Sequence, residues 1–133
     1  MNRQRVMIKS SQIFGEHIDS IEEEHDAILE KFENGMKIVY DNTSITILDE
    51  VVMIDRENSK LVIEKEKRNS TEYVTPYGNI AVEVEGKEIK ISEGPIMMEL
   101  SYIIKVGNAK DYLNKLQIIL CTRKKNNHRI SFI

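Results

Sequence analysis

From Ile96 onward every second residue is apolar: Ile96, Met98, Leu100, Tyr102, Ile104 and Val106. Glu99, Ser101 and Lys105 fall between them. A two-residue repeat belongs to an extended strand, whose side chains alternate between faces, and a helix cannot keep it. Upstream, Ile80, Val82 and Val84 alternate with Glu83 and Glu85, just after a Thr75-Pro76-Tyr77-Gly78 break. Two long strands around a Pro/Gly break predict antiparallel sheet, one face on a core and the other mostly in water. The pattern constrains the fold and leaves the chemistry open.

The same reading extends along the chain. Arg5 to Phe14 reads as a strand with Val6 and Ile8 on one face, leaving the core near Ser10 and ending at a Gly15 turn. Met36, Ile38 and Tyr40 alternate cleanly, and Thr43 to Ile54 is rich in β-branched residues, broken at Asp49-Glu50 by a turn or a bulge. Lys60 to Glu66 is a short strand with Leu61 and Ile63, and Glu64 to Arg68 reads as a solvated strand end. Glu85-Gly86-Lys87 reads as a tight turn into Ile89 and Ile91, and Glu93-Gly94-Pro95 as the next.

Two segments, 20–32 and 109–122, are ambiguous. Ser20 with Glu23 resembles a capping box, Gly35 suits a helix end, and Ile21, Ile28 and Phe32 fall near helical spacing. Alternatively, Glu33-Asn34-Gly35 is a hairpin turn between strands. Local signals alone put helix slightly ahead there. In the second segment, Tyr112, Leu113, Leu116, Ile119 and Leu120 suit a helix face, whereas Leu116, Ile118 and Leu120 suit a strand.

Composition narrows the class. The chain has 133 residues, 41% hydrophobic and 31% charged, which fits one globular domain, drawn over residues 1–123. A short basic tail, 124–133, follows with Lys124, Lys125, His128 and Arg129. A net charge of -3 gives no global case for nucleic acid or an anionic membrane. The single cysteine, Cys121, cannot pair internally and suits a reducing compartment. No apolar run approaches the roughly 18 residues of a membrane helix. The expected location is the cytoplasm.

The Thr75-Pro76-Tyr77-Gly78 tetrad and the Ile80-Ala81-Val82-Glu83-Val84 strand also carry a resemblance. Together with Leu100-x-Tyr102 inside the Ile96-to-Ile104 strand, and the Asn34-Gly35 hairpin leading to Tyr40, they make the chain similar to the YwiB-like proteins. These are small bacterial proteins of unknown function, and the similarity runs from about Gln4 to Leu120. It implies an all-β fold: an antiparallel, calycin- or lipocalin-like closed β-barrel of about eight strands. It also implies that both ambiguous segments are strands. The chain departs from the family pattern around Asp55 to Ser59, so no role passes to Arg56.

Chemistry is harder to read. His17, His25, His128 and Cys121 show no metal-ligand spacing, and the bland reading of the histidines is surface. There is no phosphate-binding glycine loop and no G-x-S-x-G elbow. Catalysis is disfavoured, no catalytic residue is assigned, and no metal or cofactor is expected. Cys121, beside Leu120, reads as a buried, inert thiol. In the tetrad, proline removes a ladder donor and glycine allows φ > 0, which would bend a strand at a barrel corner with Tyr77 capping the barrel. Fold analogy then supplies two functions. One is a binding module with a small apolar or amphipathic molecule inside, at Tyr40, Thr75, Tyr77, Ile80, Val82, Met98, Leu100 and Tyr102 of the interior or rim. The other is a filled barrel that serves structure or protein interaction, a homodimer for instance, through outward Met97, Ile103, Ile119 and Val39.

Overall fold

The computed structural model describes residues 2–106 and 112–122. These form ten strands: β1 (Asn2–Phe14), β2 (His17–Phe32), β3 (Gly35–Tyr40), β4 (Thr43–Ile47), β5 (Val51–Arg56), β6 (Ser59–Glu64), β7 (Arg68–Thr75), β8 (Gly78–Ser92), β9 (Met97–Lys105) and β10 (Tyr112–Thr122). All lie in one antiparallel sheet, in the order β6-β5-β4-β3-β2-β1-β10-β9-β8-β7. Every neighbouring pair is consecutive in the chain except β1–β10, where Val6 stands opposite Leu120 and Ile8 opposite Ile118. The meander thus curls on itself until its last two edges, β6 and β7, meet.

That meeting is a seam without a ladder. The Val74 N–H donates to the Asn58 carbonyl at 3.1 Å, and the Thr71 hydroxyl donates to the Lys60 carbonyl. At the other end, the Gly86 N–H donates to the Lys67 carbonyl at 2.9 Å, and its own carbonyl accepts from the Glu66 N–H at 3.1 Å. A Cβ on residue 86 would overlap the Glu64 carbonyl oxygen, so this close approach requires glycine. The result is an all-β, nearly closed barrel of ten strands rather than about eight. One added strand has a plain cause: Asp49-Glu50 is a turn that separates β4 from β5.

Inside lies one continuous cluster. Ile38, Ile45, Ile54, Ile63, Met98 and Ile118 are fully buried at its centre, with Val6, Val52 and Val84 beside them. The alternation around Leu100 holds: Met98, Leu100 and Tyr102 are buried, and Glu99 between them is exposed.

Both ambiguous segments are strands. The outer half of β2 buries almost nothing, so its own residues carry no period. Pairing with β1 holds it instead. The Arg5 guanidinium bridges to Glu24 at 2.7 Å and Asp26 at 3.1 Å, and the Ser11 and Ser20 hydroxyls meet at 3.0 Å.

Two turn readings need correction. Gly86 is not in a turn: β8 runs unbroken from Gly78 to Ser92, with a register shift between Gly86 and Glu88. The shift is a bulge, which bends the strand without ending it. Nor is Thr75-Pro76-Tyr77-Gly78 a bend within a strand. It is the tip of the β7–β8 hairpin, where Thr75 pairs with Gly78 at φ 118°. The Thr75 hydroxyl donates to the Gly78 carbonyl at 2.6 Å and accepts from the Tyr77 N–H at 3.2 Å. The tip projects into solvent, so Tyr77 is 100% exposed and caps nothing. No helix of the described residues is long and apolar enough to cross a membrane, and the tail 124–133 lies outside those residues.

Candidate functional site

The β3–β4 turn, the β5–β6 turn and the β7–β8 tip share one end of the barrel, where the Val74–Asn58 bond joins the β5–β6 turn to β7. Alternation decides which side chains turn into this mouth. On β2, His25 follows the face of the buried Ala27 and Leu29. On β5, Arg56 follows Val52 and Ile54, and on β9 Tyr102 follows Met98 and Leu100. β2 and β5 thus deliver an apolar run to the core and end it with a polar group, whereas on β9 the half-buried Ile104 continues the inward face beyond Tyr102.

His25 stacks on Tyr40, with ring centroids 4.4 Å apart and an interplanar angle of 22°. A hydrogen-bonding contact to Glu23 orients the imidazole, and Asp41 flanks its other nitrogen. Its Nε2 lies 3.1 Å from a Glu23 oxygen and its Nδ1 lies 3.5 Å from an Asp41 oxygen. Burial raises the Tyr40 phenol above its ordinary pKa; Arg56 opposes this and the Glu23 and Asp41 charges add to it. Burial likewise raises Tyr102, with Arg56 opposing and Tyr73 adding. The Arg56 charge therefore reaches both phenols, and Arg56 has no ion-pair partner among the described residues.

Among the described residues, the single buried side-chain polar atom without a partner is Asn69 Nδ2. Neither the Tyr40 nor the Tyr102 hydroxyl has a hydrogen-bond partner among the described residues, and both side chains are largely buried. The mouth combines the stacked His25 and Tyr40 rings, a second phenol and the Arg56 guanidinium, with the Glu23 and Asp41 carboxylates beside them. Such a set can hold an apolar body by stacking and an acidic head by charge-assisted hydrogen bonds.

Residues 6–118 match the model of a family described as "Domain of unknown function (DUF1934)". The chain belongs to this family. In the solved structures, this DUF1934 chain is similar to the crystal structure of ywiB protein from Bacillus subtilis, with a TM-score of 0.79 at 14% identity. The likeness covers 92% of this chain and 93% of that one, and at that identity it concerns the fold. No curated protein matches the chain in sequence.

The DUF1934 fold scatters the sequence-derived site residues. Tyr40 and Tyr102 come together at the mouth, while Val82, Met98 and Leu100 lie deeper in the packed core. Thr75, Tyr77 and Ile80 belong to the β7–β8 hairpin, where Ile80 is 43% exposed. Sequence reasoning missed His25, Arg56 and Asp41. Their signal was positional: each falls at or just past the end of an apolar alternation, where an inward face meets water. His17 is an exposed surface residue, as read, but the His25 side chain is only 21% exposed. Cys121 is buried, and burial raises its thiol pKa. Among the described residues, no group of three or more His, Cys, Asp or Glu side chains could hold a metal.

Proposed function

We propose that this protein is a binding module that takes a small amphipathic molecule at the barrel mouth, acidic head on Arg56 and apolar body over His25, Tyr40 and Tyr102. The observation that carries the reading is the His25–Tyr40 stack, flanked by Glu23 and Asp41, within reach of the charge of Arg56, which has no ion-pair partner among the described residues. A wholly apolar guest in the centre would have to displace Ile38, Ile45 and Ile54, all within 1% of full burial. A guest at the mouth displaces water instead, and the tyrosine hydroxyls and guanidinium orient it.

Calorimetric titration with octanoate and with octanol tests the reading. Octanoate should bind more tightly, and Arg56→Gln should weaken it about tenfold while leaving octanol unchanged. Binding of neither probe, or octanoate affinity indifferent to Arg56→Gln, would overturn it.

The second reading, self-association through the outer wall, has one supporting observation. Met7, Ile119 and Met97 form a single cross-strand row on the outside of β1, β10 and β9. Sedimentation of the full chain as a monomer at high concentration would remove it.

A further inference from the structure

A cleft of about 360 Å³ opens on the outside of the wall, across β1, β10, β9 and β8. Register arranges its side chains in two rows. In the first, Lys9 lies opposite Gln117, Gln117 opposite Glu99, and Glu99 opposite Lys90. In the second, Lys115 lies opposite Ser101, and Ser101 opposite Glu88. These residues face away from the core, because Ile8, Leu100 and Leu116 between them are buried. The cleft is therefore separate from the barrel mouth, which the inner face lines.

Its charges are unevenly engaged. Lys90 Nζ lies 3.3 Å from Glu88 Oε2, so these two largely neutralise each other at the β8 side. The Gln117 amide donates to Glu99 at a long 3.5 Å, which leaves most of that carboxylate free. Lys9 and Lys115 have no ion-pair partner among the described residues, although Glu22 stands opposite Lys9 on β2. The two lysines are diagonal neighbours, roughly 7–8 Å apart at the backbone. Two like charges beside one polar cleft are mutually unfavourable, and a bound dianion would relieve them.

We propose that this cleft binds a compact dicarboxylate bearing an amino group, an acidic α-amino acid being the simplest member. Its two acid groups lie on Lys9 and Lys115, and its ammonium lies on Glu99, one strand beyond Lys115. Among the described residues, the cleft charges outside any ion pair, Lys9, Lys115 and Glu99, match two carboxylates and one ammonium. The lining is polar and charged apart from Leu100 and Leu116, so an apolar guest has little to gain here. The cleft volume falls at the small end of the usual range for ligand sites, about 300–1,000 Å³.

The test is calorimetric titration of the full chain with L-glutamate, glutarate and L-glutamine at about 0.15 M salt, where exposed charges are screened beyond about 8 Å. One saturable L-glutamate site is expected, with both analogues weaker. Lys115→Met should reduce L-glutamate affinity about tenfold, and Glu99→Gln should bring L-glutamate down to the level of glutarate. Both positions are exposed, and the melting temperature of each variant reports that the fold is kept. In the unsubstituted chain, L-glutamate should also shift the Ser101 and Lys115 amide resonances. The absence of a saturable site, equal affinity for all three probes, or indifference to Lys115→Met would each overturn the proposal.

Discussion

Replacing Gly86 by alanine strikes the place where the barrel closes. The new Cβ would overlap the Glu64 carbonyl oxygen, a backbone atom that cannot rotate away. Either the β6–β7 turn retreats or β8 does. Retreat breaks the pair of hydrogen bonds that Gly86 exchanges with Glu66 and Lys67. Each is worth about 0.5–1.5 kcal/mol. Forcing an extra carbon into a packed contact adds about 1–3 kcal/mol. The expected loss is therefore roughly 2–6 kcal/mol, a large part of the about 5–15 kcal/mol that holds an ordinary domain together. Urea unfolding followed by far-ultraviolet circular dichroism measures it. Gly15→Ala is the control, since nothing lies within 4 Å of its Cβ and its φ of 61° leaves only backbone strain, worth about 1–2 kcal/mol. If Gly86→Ala costs less than the control, the seam is not closed there and the account of the barrel fails.

Leu100→Ala should cost about 2–5 kcal/mol in the same unfolding assay, as a buried large-to-small change does; a loss typical of the surface would reverse the faces assigned to β9. Gly78→Val should cost about 1–3 kcal/mol through its φ of 118° alone, because a Cβ there meets nothing, and an unchanged urea midpoint would remove that argument. Tyr40 and Tyr102 should ionise above the ordinary 10.0 of a phenol. The unfolded chain then releases these protons first, so stability should fall as pH rises through and beyond that value. Phenolate absorbance should show a late component that Tyr40→Phe and Tyr102→Phe reduce, and five tyrosines titrating together would contradict it.

How much of this was legible depends on burial. The β9 strand announced itself because one of its faces is sealed and the other wet, which imposes a period of two. The outer half of β2 could not announce itself, since both faces meet water and its order comes from partners on β1. The helical signals at Ser20 and Glu23 were real local preferences that cross-strand pairing overrides. The Gly86 bulge left a trace that was not used. Apolar residues sit at even positions before it, Val82 and Val84, and at odd positions after it, Ile89 and Ile91. A turn need not shift that parity, whereas one inserted residue must. The mouth was only half visible. Tyr40 and Tyr102 lie on alternating strands, but His25 and Arg56 look like ordinary surface residues until the sheet curls and brings β2, β5 and β9 to one opening.

The central functional claim is that the centre is occupied by the chain's own side chains and the ligand sits at the mouth. Amide chemical-shift mapping during an octanoate titration tests it most directly. The account predicts the largest shifts at Tyr40, Asp41, Arg56, Tyr73 and Tyr102, with Ile38, Ile45 and Ile54 little moved. Largest shifts at those three isoleucines would place the ligand inside and contradict it.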